Sequence, residues 1–388
     1  MKSSVKDFGA VGNGIAKDTA AIQKAIDECS EKGGGKVIIP PGVYFTSSLY
    51  LRDNVELHLC AGAKLQGSDN PDDYDDFRAT GFIHKACAEN SSKFLIGAIG
   101  VKNISITGCG EINGAGPKFY DTNIDESVSR FYAKPPLPRP RMIMFYDCKN
   151  VKFEDTSFID SPCWTFWLIA CEHVNIHRVR VIGDQRMINN DGIDIDSCSD
   201  VTMSDCFLKT GDDCLILRAI QSVIERPAIC ENITISNCTL NSNCQGIRVG
   251  CPGDNIIRNC TFSNITINGI GTGINIDNPK RYLPEDGKVT MDLQNIVFSN
   301  FTINSERWPI RIFVEEGIKL RNLSKITFSN FRTRSNWPLL IQGSKETIIK
   351  DISFNNMFME TTESEDTVTC QYCSGIRMNN VEFSNCLK

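Results

Sequence analysis

Asn232-Ile233-Thr234-Ile235 is a polar residue followed by apolar–polar–apolar alternation, and the pattern returns along the whole chain. Before it come Asn103-Ile104-Ser105-Ile106, Asn150-Val151-Lys152-Phe153, His173-Val174-Asn175-Ile176 and Asp200-Val201-Thr202-Met203. After it come Asn264-Ile265-Thr266-Ile267, Asn295-Ile296-Val297-Phe298, Lys325-Ile326-Thr327-Phe328 and Asn380-Val381-Glu382-Phe383. Between Asn150 and Lys325 the starts are 23, 27, 32, 32, 31 and 30 residues apart, a period that marks a solenoid. Alternation with period two gives short strands with one face inward. No helical periodicity runs through the repeats, and the spacing of leucine-rich repeats is missing. The expected fold is all-β: a right-handed, single-stranded parallel β-helix with internal ladders of aligned Asn, Ile and Cys.

A solenoid end exposes strand edges and needs a cap. Asp18-Thr19 is placed to N-cap a helix through Ile22, Ala25, Ile26 and Cys29, ended by Gly33-Gly34-Gly35. This capping helix leads into the strand 36–40, the turn Pro41-Gly42 and a strand at Val43-Tyr44-Phe45. The run Gly9-Ala10-Val11-Gly12-Asn13-Gly14 has no βαβ unit behind it and reads as a turn. Residues 119–141 break the repeat with Pro135, Pro136, Pro138 and Pro140, and read as a long loop over one face. With no linker in view, residues 1–388 are expected to form one domain.

A hydrophobic content of 41% and a charged content of 23% are those of an ordinary globular protein. A net charge of −6 argues against nucleic-acid and anionic-membrane partners. No apolar run is long enough to span a bilayer, and the first residues lack the apolar core of a signal peptide, so either a cytoplasmic location or a leader already removed is expected. Of the 18 cysteines, Cys148, Cys171, Cys198, Cys206, Cys238, Cys260 and Cys386 fall inside strand patterns. They are expected to be free, buried thiols. Cys370-Gln371-Tyr372-Cys373 has metal-like spacing but no second pair, so no zinc is expected.

Two acidic segments interrupt this regularity: Asn189-Asn190-Asp191-Gly192-Ile193-Asp194-Ile195-Asp196 and Gly211-Asp212-Asp213-Cys214-Leu215-Ile216-Leu217. Asp191 and Asp213 are 22 residues apart, close to one coil. Aligning Ile193/Ile195 with Leu215/Leu217 puts Asp191 and Asp213 one strand spacing apart, with Asp212 beside Asn190. Three crowded carboxylates raise at least one pKa, and glycosidic cleavage needs a protonated acid together with ionised carboxylates that activate water. The alternatives are a calcium site or ordinary turn aspartates.

These segments resemble the polygalacturonase family of glycoside hydrolases, family 28, whose hallmarks are Asn-Thr-Asp-Gly, Gly-Asp-Asp-Cys, Gly-His-Gly and Arg-Ile-Lys. The resemblance runs from Val5-Lys6-Asp7-Phe8-Gly9-Ala10 through Ser161-Pro162-Cys163-Trp164-Thr165 to the coils near 280. It implies Asp212 as general acid, Asp191 and Asp213 as the residues that hold and deprotonate water, inversion of the anomer, an oligosaccharide substrate and no cofactor. The chain departs from the family at two hallmarks. Cys244-Gln245-Gly246 stands where Gly-His-Gly is expected, and Asn275-Ile276-Asp277 where Arg-Ile-Lys is expected. None of His58, His84, His173 and His177 lies in a segment that could substitute.

The positions between inward apolar residues are expected to face out: Asp194, Asp196, Arg218, Arg248, Asn275 and Asp277. Arg218 and Arg248 would then line the cleft floor, either free for substrate or neutralising Asp194, Asp196 and Asp277. Asn189, Gln245, Arg248, Arg218, Asn275 and Asp277 are the candidate substrate contacts, with Trp164 and Trp167 as aromatic platforms. The resemblance and the departures from it together imply an inverting hydrolase of an α-linked pectic or related oligosaccharide, and not of ordinary homogalacturonan. Rival readings are a β-helix lyase, an isomerase or transglycosidase, and a non-catalytic carbohydrate-binding protein.

Overall fold

The structure, a computed structural model, describes residues 2–80, 92–124, 129–135, 138–251, 253–282, 291–364 and 368–385. His84, Pro136 and Cys386 lie outside the described residues. The chain is a right-handed parallel β-helix, all-β among the described residues apart from one α-helix and short 3-10 turns. It divides into two compact units, Met1–Ile193 with Val201–Gly211, and Asp194–Asp200 with Asp212–Lys388.

In the first unit one sheet stacks Leu49–Tyr50, Phe94–Ile99, Arg141–Tyr146 and Phe166–Ile169 in parallel. In the second unit the corresponding stack is Leu215–Arg218, Gln245–Val249, Thr272–Asn278, Ile310–Val314, Leu339–Gln342 and Val368–Gln371. Long strands such as Asp292–Ser305 form the other wall, with Ile296, Phe298 and Ile303 fully buried. Phe262, Phe298, Phe328 and Phe354 stack at centroid spacings of 4.7, 5.0 and 5.1 Å, so register is set by identical rings at one position.

The polar residue that opens each repeat has a backbone reason to be there. Asn103, Asn150, His173, Asp200, Asn232, Asn264, Asn295, Lys325 and Asn380 all have φ between 51° and 58°. Asn and Asp tolerate this left-handed corner better than other residues with a side chain. Their amides form ladders: Asn232 Nδ2 donates to Asp200 Oδ1 at 3.0 Å, Asn259 to Asn232 at 3.3 Å and Asn295 to Asn259 at 2.7 Å. These ladders lie on exposed corners, not inside the coil as expected. Two repeats also belong to a second corner. Asn264 bonds Asn237 and Asn300, and Asn380 bonds Asn356, so the coil after Asn232 starts at Asn259, 27 residues on. Both corners demand the same left-handed residue followed by alternation, and a one-dimensional repeat cannot tell them apart.

The capping helix spans Thr19–Glu31 and buries Ile22, Ala25, Ile26 and Cys29. Asp18 makes no side-chain cap. Its carboxylate instead accepts the N–H groups of Val11 (2.6 Å) and Gly12 (3.0 Å), tying the glycine turn to the helix start. Gly12 has φ 64°, and a Cβ there would meet the Tyr44 ring at 2.7 Å. Cys148, Cys171, Cys198, Cys206, Cys238 and Cys260 are buried. Several thiols donate to the carbonyl two residues back, as Cys198 does to Asp196 (3.4 Å) and Cys238 to Ser236 (3.1 Å). The melting temperature is therefore expected to be the same with and without reductant, and a fall of several degrees on reduction would reveal a structural disulfide.

Candidate active site

Gly211 must be glycine for the acidic turn to form. A Cβ there would lie 2.2 Å from the Met187 carbonyl and 2.9 Å from Asn190 Oδ1. Asn190 is the pin: its Oδ1 accepts from Gly211 N at 2.7 Å and its Nδ2 donates to the Asp184 carbonyl at 3.0 Å. Asp191, in the same unit, is 4% exposed, and its carbonyl accepts from Thr165 N at 2.8 Å. Asn189 is left-handed (φ 59°), and its carboxamide oxygen is held by Arg139 at 3.0 Å, so that atom is engaged within the protein.

The second unit brings Asp212 and Asp213 together with Gln245, Arg248 and Asp277. Asp213 Oδ1 accepts from Gln245 N at 3.1 Å and Oδ2 from Arg248 at 3.3 Å, while Asp212 Oδ1 accepts from Asp213 N at 3.0 Å. Burial pushes the Asp213 carboxyl up to about 6, with Arg248 opposing and Asp212 reinforcing the shift. Burial is the main cause, and of the acids crowded together in the sequence Asp212 adds to it. Arg248 is bidentate on Asp277, with both contacts at 2.9 Å. Burial works against its charge, but Asp277 and Asp213 more than restore it, and its pKa is raised.

The outward-facing positions are less open than alternation implied. Asp194 and Asp196 are 0% exposed, Arg218 is 2% exposed, and Arg218 pairs with Asp194 at 2.6 Å. Asp196 accepts from Ser197 Oγ (2.9 Å) and Ile220 N (3.1 Å). Arg218 is thus engaged with Asp194, and Arg248 with Asp213 and Asp277. Asn275 and Asp277 are buried as well, and Asn275 Oδ1 accepts from Arg311 at 3.1 Å. Trp164 and Trp167 are 4% and 0% exposed, with the Arg141 guanidinium 4.5 and 4.9 Å from their ring centroids. They pack around a buried arginine and present no open platform.

Asp212, Asp213 and Cys244 hold ligand atoms within 4.8 Å of one another. The set does not suit calcium, which takes six to eight oxygens. Burial and the Asp213 charge push the Cys244 thiol up and keep it protonated, and Arg248 already occupies Asp213. A calcium-dependent lyase is disfavoured on that chemistry. Sequence reasoning passed over Arg311, Trp308 and Trp337. The signal was there: Trp-Pro recurs at Trp308-Pro309 and Trp337-Pro338, one coil apart.

Residues 76–334 match the glycosyl hydrolases family 28, and residues 3–68 match the rhamnogalacturonase A/epimerase, pectate lyase-like family. A probable polygalacturonase of Arabidopsis thaliana is 26% identical over 394 residues, covering 96% of this chain and 77% of that protein. An exopolygalacturonase of Cochliobolus carbonum is 25% identical over 95% of this chain and 83% of its own length. Among solved structures, the hyperthermoactive exopolygalacturonase of Thermotoga maritima superposes with a TM-score of 0.78 at 22% identity, over 99% of this chain and 92% of that one.

Proposed function

The chain belongs to family 28 of the glycosyl hydrolases and is a polygalacturonase-like glycoside hydrolase, and from that premise we propose an inverting hydrolase of a pectic or related oligosaccharide. The bond cleaved is α-glycosidic, and the sugar at the cleaved position is not an ordinary galacturonate. In this reading Asp212 protonates the leaving oxygen, while Asp191 and Asp213 hold and deprotonate the water. The half-exposed setting of Asp212, against the burial of Asp213 beside Arg248, supports that division of labour.

The observation that carries the specificity is Asp277. It stands where the family pattern has a lysine, and Arg248, in bidentate contact with it, is thereby taken. Gln245 and Asn275 replace the remaining family cations with neutral amides. A carboxylate placed beside Asp277 would meet a like charge, at a cost of several kcal/mol. Polygalacturonate is therefore expected to be cut with kcat/KM on the order of 10²-fold below a pectic oligosaccharide with a neutral ring at the cleaved position. A panel of oligosaccharides, scored by product mass and anomeric configuration, tests this, and fast hydrolysis of polygalacturonate would sink the specificity.

The reading also sets a pH dependence. Asp213 must be ionised to activate water, and its pKa is about 6. The rate is expected to fall as pH drops below about 6, an acid limb near two units above that of an ordinary aspartate. An acid limb near pH 4 in the kcat/KM profile would remove Asp213 from the role.

A further inference from the structure

The head positions of the second unit's stacked strands form a column that starts at the acids. Gln245 pairs with Thr272, and extending the register of the neighbouring strands back to their heads places Asp213 before Gln245, and Trp308 and Trp337 after Thr272. Backbone bonds from Gly273 N to the Trp308 carbonyl and from Trp337 N to the Arg307 carbonyl hold the last steps. The two indoles meet edge to face, with centroids 4.2 Å apart at 74°. Trp337 is 39% exposed, although most rings of this protein are buried.

Beside the tryptophans the strand Ile310–Val314 turns Arg311 outward. Its guanidinium lies 5.3 Å from the Trp308 centroid and 4.1 Å from that of Phe313. One nitrogen donates to Asn275 Oδ1, a neutral acceptor, and the Asp277 carboxylate is 3.9 Å away. Its Nε is buried with no hydrogen-bond partner among the described residues. Burial lowers the Arg311 pKa and the neighbouring Arg248 and Arg307 lower it further, with Asp277 opposing. Arg248 holds Asp277 at 2.9 Å, so Arg311 is left with an incomplete set of acceptors. A guanidinium so placed, against aromatic faces and among like charges, favours an incoming carboxylate.

We propose that Trp308, Trp337 and Arg311 form a distal subsite that takes an acidic pyranose of the substrate chain. The apolar face of the ring stacks on the indoles, and its carboxylate is received by the guanidinium. The proposal rests on the function proposed above for treating the ligand as an oligosaccharide. At about 4.8 Å per strand step, Trp308 lies ~14 Å and Trp337 ~19 Å along the sheet from Asp213. That separation is roughly three to four sugar rings, so an acidic ring here coexists with a neutral one at the scissile bond. Asp277 rejects a carboxylate close to the cleavage point, and Arg311, one strand further on, accepts one.

The test is binding, measured by titration calorimetry in an Asp212→Asn background that suppresses turnover. The probes are an α-linked hexamer in which uronic and neutral rings alternate, its carboxyl-reduced counterpart and the carboxyl-reduced dimer. Trp337→Ala is expected to weaken hexamer binding by ~10-fold, to leave the dimer unchanged, and to be rescued in large part by Trp337→Tyr. Arg311→Met is expected to erase the preference for the acidic over the reduced hexamer. Hexamer affinity indifferent to Trp337, or an acid preference that survives without Arg311, overturns the subsite. The two readings fail separately: absence of turnover on every oligosaccharide would defeat the hydrolase assignment while these binding differences stood.

Discussion

Replacing Asp212 by asparagine is expected to lower kcat by at least ~10²-fold while leaving KM within a few-fold, the scale of one acid–base role. The substitution is unusually clean for this position. Asp212 Oδ1 accepts the Asp213 N–H at 3.0 Å, and an asparagine oxygen can take over that contact. The Asp212 carbonyl is anchored independently by Ser242 Oγ at 2.8 Å, and the same hydroxyl receives Cys244 N at 2.8 Å. The turn therefore has no reason to move, and the melting temperature should match that of the unmodified enzyme. If Asp212 holds the proposed acid role, what is removed is the proton for the leaving oxygen, so substrates with a good leaving group should suffer less than natural ones. Activity within a few-fold of the original on a natural oligosaccharide would remove Asp212 from the acid role and point to another donor.

The fold was legible because a solenoid writes its geometry into the sequence once per coil. Polar-then-alternating repeats betray both the strand period and the left-handed corner. They could not say which corner, and Asn264 and Asn380 were therefore assigned to the wrong one. Asp18 shows a related limit. Its position before the helix is that of an N-cap, but two free N–H groups of the glycine turn, at Val11 and Gly12, compete for the same carboxylate and win.

The site was legible for a different reason. The turn Gly211-Asp212-Asp213 has to exclude any Cβ from its glycine, and that steric demand leaves a fixed sequence trace. Charge pairing leaves no such trace. Alternation identified the side of the sheet that Arg218 and Arg248 occupy, but not that Asp194 and Asp277 would hold them. The same blindness concealed Arg311, whose proposed role comes from a buried Nε without an acceptor among the described residues and not from any motif.

Arg248→Ala is expected to destabilise the fold strongly. Asp213 and Asp277 have side chains only 2% and 7% exposed, and Arg248 contacts both. Removing one partner of a buried pair costs ~3–5 kcal/mol, because the carboxylate left behind stays desolvated. The sign of the pH dependence follows from Asp213. Its folded pKa of about 6 already lies above the ordinary carboxylate value, so its contribution to stability is present at low pH and is lost as pH rises through 6. Without Arg248 the folded pKa moves higher, and the loss continues past pH 6 at about 1.4 kcal/mol per unit. The variant should therefore unfold close to the parent at pH 4 and well below it at pH 8. Adding Asp277→Asn should recover part of the deficit, a coupling that a double-mutant cycle measures directly. The kinetic consequence separates two roles for this arginine. As an internal counter-ion it would, when lost, move the acid limb of the rate profile upward for every substrate alike. As the grip on a substrate carboxylate its loss would raise KM for uronic substrates alone, and the bidentate hold of Arg248 on Asp277 argues for the first outcome.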